Sequence, residues 1–197
     1  MSQAKKKSSL SPTVLDKLWN TCNWAHEVWV LRRALIDENR HKRKLASGHH
    51  VEFLRITGEV LHDYVLLQIA KLHDHAVVSG RICLTIEYIM EYGGWDPAAY
   101  RQLQELRERL DVLDKKIRSA RNRIISHNDL AAILADEPLG AFDAGADKRY
   151  FRTLQRFVKL VYLKATGEPC ADFSVFPRGD ATAALNAFLA SDAARRG

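Results

Sequence analysis

Residues 103–124 read LQELRERLDVLDKKIRSARNRI. Apolar side chains recur there at Leu103, Leu106, Leu110, Leu113, Ile117, Ala120 and Ile124, and the pattern resumes at Ala131 and Leu134. Steps alternating between three and four keep one face of an α-helix apolar over its whole length, which no strand pattern does. Asp96-Pro97 upstream supplies an N-cap followed by proline at the first helical position. Unbroken to Leu134, such a helix would measure roughly 57 Å at a rise of 1.5 Å per residue. That exceeds what a compact domain of this size needs. The sustained 3-4 spacing therefore predicts pairing with a second copy, through Ile117, Ala120, Ile124 and His127.

The segments on either side are also helical in pattern. Ser11-Pro12 repeats the cap-plus-proline signal and opens a stripe of Leu15, Leu18, Cys22, Ala25, Trp29, Arg32 and Ile36, widened by Val28, Leu31 and Leu35. A second helix carries two stripes, Phe53, Ile56, Val60, Tyr64 and Leu67 beside Leu54, Leu61, Val65 and Leu72, which predicts a helix covered on two sides that ends near Val78-Ser79-Gly80. Thr85 caps a short helix over Ile86–Glu91 that Gly93-Gly94 stops. After a loop over Asp136–Asp147 comes a helix whose face is Tyr150, Leu154, Phe157, Val158, Val161 and Tyr162, closed by Gly167 and Pro169. Asp172 to Phe176 is compatible with extended chain, and Asp180 reads as the cap of a last helix through Leu185, Phe188 and Leu189. No run reads as a convincing strand. The fold class is all-α, an up-and-down bundle of about five or six helices, with residues 1–10 as a basic flexible tail and 11–197 as a single domain.

At 197 residues and 47% hydrophobic composition the chain can bury a sizeable core. Its net charge of +6 is unevenly placed, with Lys5-Lys6-Lys7 in the tail and Arg40-His41-Lys42-Arg43-Lys44 between the first two helices. Arg40, Lys42, Arg43 and Lys44 suit an anionic partner such as RNA, although solvated basic faces explain the charge equally well. Cys22, Cys83 and Cys170 are odd in number and widely spaced, so neither a disulfide framework nor a zinc site is indicated. His73-Asp74-His75 offers two histidines without a clear third ligand and reads as a polar helix end. Neither metal nor cofactor is expected. No window holds eighteen uninterrupted apolar residues, and the expectation is a cytoplasmic protein without a membrane partner.

The leucine-ruled helix changes character at Arg121-Asn122-Arg123-Ile124-Ile125-Ser126-His127-Asn128-Asp129, where His127 fills a position of the apolar seam. A titratable imidazole on a buried stripe, with arginines alongside, is a candidate chemical site. Arg121-Asn122, four residues, His127 and then Asp129 resembles the arginine-histidine signature of the HEPN superfamily, and most closely its abortive-infection AbiU-like branch, whose version reads Arg-Asn-Lys-x-x-Ala-His-x-Asp. Here Arg123 stands for the lysine and Ser126 for the alanine. Leu72-x-Asp74 followed by Cys83-Leu84-Thr85-Ile86 is similar to a second segment of that branch.

The resemblance implies a metal-independent endoribonuclease, a toxin or phage-defence effector, whose site forms where two protomers join, with an antitoxin or other regulatory protein as a further partner. It makes His127 the proton-transfer residue and Arg121 the phosphate stabiliser, with Asn122, Arg123 and Asp129 supporting. Imidazole and guanidinium can carry such a cleavage without metal, because one moves protons near neutral pH and the other stabilises charge on the phosphorane. Six residues at about 100° each set Arg121 and His127 some 120° apart around a straight helix, a difficulty that a two-fold axis removes. Related toxins of another branch carry a modifiable tyrosine two residues after the histidine, where this chain has Asp129. The competing readings are a non-catalytic dimer that binds RNA, nucleotide or protein, and a core histidine beside arginines paired with Asp114 or Glu105.

Overall fold

The computed structural model describes residues 9–41, 45, 48–120 and 143–196. Among these the chain is all-α, with six α-helices and one two-stranded hairpin: α1 Pro12–Arg32, α2 Val51–Leu72, β1 Val77–Val78, β2 Arg81–Ile82, α3 Ile86–Tyr92, α4 Pro97–Ala120, α5 Ala146–Thr166 and α6 Pro177–Arg196. The expected continuation of α4 to Leu134, the tail before Ser9 and most of the predicted loop after Leu134 lie outside the described residues.

The helix starts follow from local chemistry. Ser11 Oγ accepts the Val14 N–H at 3.3 Å, Thr85 Oγ1 accepts that of Tyr88 at 3.1 Å, and Asp96 Oδ1 accepts those of Ala98 and Ala99 at 2.9 and 2.8 Å. Each satisfies donors that the first helical turn leaves open. At the end of α3, a Cβ on Gly93 would come within 2.1 Å of the Trp95 indole, which donates its N–H to the Ile89 carbonyl at 2.8 Å. Glycine is required there by close approach. Gly167, at φ +87°, ends α5 by donating its N–H to the Leu163 carbonyl.

Two boundaries differ from the sequence expectation. α2 stops at Leu72 rather than near Gly80, because Val77–Val78 and Arg81–Ile82 pair as an antiparallel hairpin. Its turn, Ser79-Gly80, holds both residues at positive φ, the geometry whose twist matches two-residue hairpins. α6 starts at Pro177, with Asp180 inside the first turn instead of at the cap. Proline suits the first helical position, and a carboxylate in that turn complements the helix dipole.

The chain divides into two compact units. The first comprises residues up to Cys22 together with Leu67–Asp172. Here α4 packs on α5. The Asp96 carboxylate at the head of α4 feels Lys164 in the last turn of α5, while Lys116 near the other end of α4 binds Asp143 just before α5, so the two helices run antiparallel. Leu103, Leu110, Leu113 and Ile117 of the seam are buried, as are Tyr150, Phe151, Leu154, Phe157, Val158 and Val161 of α5. Ile117 is completely buried within its own chain. It is therefore not available to a second copy, and that part of the predicted seam is corrected; Ile124 and His127 lie outside the described residues.

The second unit comprises Asn23–Leu66 and Phe173–Gly197. Its core joins Leu35, Leu45, Leu54, Ala181 and Leu185, with Leu61 and Phe188 packed against them. The end of α1 widens into a π-helical turn, Arg33–Asp37, where the Glu38 N–H reaches the Arg33 carbonyl at 2.7 Å and Arg32 and Arg33 bind Asp37 and Glu38. α2 buries the side bearing Leu54, Gly58 and Val65, with Ile36 fitted against Gly58. Its other stripe is not covered as expected. Phe53, Ile56 and Val60 are each more than half exposed, because the apolar belt is wider than the face that this packing takes up.

Two histidines of this unit give it a pH response. His26 is buried and hydrogen-bonded to the Ser174 carbonyl at 3.0 Å, and burial holds its pKa below the ordinary value. His62 is lowered by burial and by Arg32. Well above about pH 6.5 these protons are absent from folded and unfolded chains alike. As pH falls through that value the unfolded chain binds them first, so stability drops until the lower folded-state values are reached. The urea midpoint should therefore fall between about pH 7.5 and 5.5, above the range where the carboxylates protonate, and fall less in a His26→Gln/His62→Gln chain. An equal decline in both proteins would refute the assignment.

Candidate functional site

A cleft of about 350 Å³ in the first unit is walled by the residues that follow α2, by the start of α3 and by the C-terminal half of α4. At its base the His73 side chain, only 3% exposed, bridges two partners: Nδ1 lies 3.0 Å from Asp111 Oδ1 and Nε2 lies 3.2 Å from the Tyr150 hydroxyl. Burial pushes the Tyr150 pKa far up, so the phenol keeps its proton and can donate to Nε2 while Nδ1–H donates to the carboxylate. The His73 hydrogen bond, ahead of the nearby Arg107 and Lys115 charges, holds Asp111 below the usual carboxylate range.

One turn further along α4, buried Asp114 accepts from Arg118 Nε at 3.0 Å and from a second guanidinium nitrogen of the same residue. That charge-assisted pair raises the Arg118 pKa, and Asp74 and Asp111 add to the effect. On the α3 side Glu87 accepts the Ala76 N–H at 2.6 Å and lies 3.4 Å from His75, and the backbone bond is the main reason its pKa is lowered. Arg107, Lys115 and Arg118 thus share the cleft with Glu87, Asp111 and Asp114, so its fixed charges balance.

His73-Asp74-His75 is a polar helix end in which one histidine is a buried bridge. Among the described residues no group of His, Cys, Asp or Glu could hold a metal ion. Cys22 is buried and Cys83 and Cys170 are half-buried, all as free thiols. No helix among the described residues is long and apolar enough to cross a membrane.

Arg121, Asn122, Arg123, His127 and Asp129 lie outside the described residues, as do Lys42, Arg43 and Lys44; Arg40 is exposed in the second unit. Asp114, considered above as a partner for Arg121 or Arg123, is held by Arg118. The structure does bring residues of the two upstream segments beside the last turn of α4. His73 from within Leu72-x-Asp74, Ile86 at the end of the Cys83–Ile86 stretch, and Arg118 in the last turn of α4 line this one cleft, and the Asp74 charge acts on Arg118. Asp111, Asp114 and Tyr150 were missed as site residues. Arg107-x-x-x-Asp111 and Asp114-x-x-x-Arg118 are visible as i, i+4 pairs, whereas the bridge through His73 has no local signal.

These helices, with a capped short helix leading to a leucine-seamed one and a polar cleft at its end, define an all-α bundle of the HEPN type. The model of the AbiU2 family, HEPN_AbiU2, matches residues 13–189, and the chain belongs to this abortive-infection family. No curated protein and no solved structure matches it.

Proposed function

We propose that the protein is a metal-independent endoribonuclease of HEPN type that acts as a toxin or phage-defence effector. The observation that carries the reading is the cleft that joins His73 and Ile86, one residue from each upstream segment, to Arg118 in the last turn of α4, three residues before Arg121 in sequence. In this reading His127 moves the proton of the attacking 2′-hydroxyl and Arg121 neutralises the charge that builds on the phosphate, with Asn122, Arg123 and Asp129 orienting them. The Tyr150–His73–Asp111 network contributes a satisfied, rigid wall, since each member has its partner and none is spent on substrate. A homodimer completes the site by bringing one chain's Arg121 toward its mate's His127. RNA is the substrate, and a regulatory or antitoxin protein is the remaining partner. The setting is the cytoplasm.

The test is cleavage of single-stranded and structured RNA by the purified chain in EDTA, with analysis of the ends. Attack by the neighbouring 2′-hydroxyl leaves a 2′,3′-cyclic phosphate and a 5′-hydroxyl. A 3′-hydroxyl with a 5′-phosphate, or cleavage abolished by EDTA, would overturn the mechanism. Binding without any cleavage would select the non-catalytic RNA-binding dimer instead.

A further inference from the structure

On a different face of α4, residues far apart in sequence form a second, differently charged depression. Arg109, Val112, Leu113 and Lys116 of α4 face Arg149, Tyr150, Arg152, Thr153 and Arg156 of α5 across a groove of about 370 Å³. Arg109, Val112, Leu113 and Lys116 follow i, i+3, i+4, i+7 spacing, as do Arg149, Arg152, Thr153 and Arg156, so each helix lays its cations in a row along one face. Because the helices run antiparallel, the two rows flank the groove as rails.

Five cations, Arg109, Lys116, Arg149, Arg152 and Arg156, meet one lining carboxylate, Asp143. All five are exposed. Asp143 binds Lys116 at 2.9 Å but is itself three-quarters exposed, a kind of pair worth little in water. Arg149 reaches the Ala144 carbonyl at 3.5 Å, and Arg109, Arg152 and Arg156 have no acidic partner among the described residues. The contrast with the cleft beside α3 is direct: there three cations meet three carboxylates, whereas here five cations meet one.

We propose that this α4/α5 groove is the track for the backbone of a single-stranded RNA. The proposal rests on RNA as the substrate and extends that reading to a surface it does not include. Four of the five cations are arginine, whose planar fork matches two phosphate oxygens at once. Arg149 to Arg156 spans ~10.5 Å along the helix axis, the length of about three stacked nucleotides at ~3.4 Å each. Between the rails Val112, 58% exposed, gives an apolar floor that suits a ribose or base face better than a carboxylate-bearing peptide.

The test is fluorescence anisotropy of a labelled 12-nucleotide single-stranded RNA with the full chain carrying His127→Ala, so that binding is read without cleavage. Adding Arg109→Gln, Arg152→Gln and Arg156→Gln removes three cations from exposed helix positions where glutamine is a good helix former. With about 0.7 counterion released per contact, the slope of log K against log salt should shrink by roughly 2, and affinity at 0.1 M salt should fall roughly 100-fold, with far-UV circular dichroism unchanged. An unchanged slope and affinity would overturn the groove, as would a slope that moves only when Arg40, Lys42, Arg43 and Lys44 are replaced. Equal competition by poly-L-glutamate would also overturn it, in favour of an acidic protein surface. Groove-dependent binding by a wild-type chain that cuts no RNA would leave this proposal standing and end the nuclease reading.

Discussion

Replacing His127 by Ala should lower RNA cleavage by about 100- to 10,000-fold, the usual contribution of a positioned acid–base group, and leave helical content unchanged. Arg121→Ala should give a comparable loss for a different reason, since it removes the cation that meets phosphorane charge. The two variants are distinguishable by pH. Arg121→Ala should keep the pH–rate profile of the parent, because the titrating group is still present, whereas residual activity in His127→Ala should lose the limb that imidazole provides. Mixing the two inactive chains adds a geometric test. A heterodimer of opposite mutants retains one intact pair if the residues act across a two-fold axis, and it should recover part of the activity. No recovery from a verified heterodimer would place both residues' work within one chain, and full activity in either single mutant would remove that residue from the mechanism.

What could be read from the sequence was what neighbouring residues decide. The caps at Ser11, Thr85 and Asp96 involve side chains two or three residues from the N–H they accept, and all three stand where the sequence placed them. The family was legible for a similar reason, since its motif and the Leu72-x-Asp74 segment are short strings. Features that depend on which faces meet were not legible. Periodicity marked both stripes of α2 as apolar but could not say that the Leu54 side would be buried while Phe53, Ile56 and Val60 stay more than half exposed. His73 read only as part of a polar helix end because its partners stand 38 and 77 residues away. The arginine groove was hidden in the same way. No local motif singles out Arg149, Arg152 and Arg156, and only the pairing of α4 and α5 sets them opposite Arg109 and Lys116.

Ile117→Asp should unfold the first unit rather than separate two folded chains. On the sequence alone this position belonged to a dimer seam, where a carboxylate would weaken association. In the structure Ile117 is fully buried on α4, the helix that packs on α5. A carboxylate there would need a cation inside the packed face, but Arg118 is already engaged by Asp114 and Lys116 lies exposed on another side of the helix. An uncompensated buried charge typically costs about 3–5 kcal/mol, a large part of the ~5–15 kcal/mol that holds a domain together. Ile117→Val, which removes one methylene and adds no charge, should cost only about 0.5–1.5 kcal/mol. Urea titration followed by far-UV circular dichroism separates the outcomes when light scattering is recorded on the same samples. The buried-core reading expects loss of helical signal with a sharply lowered midpoint. A folded monomer with the wild-type midpoint would return Ile117 to the interface and overturn its assignment to the core.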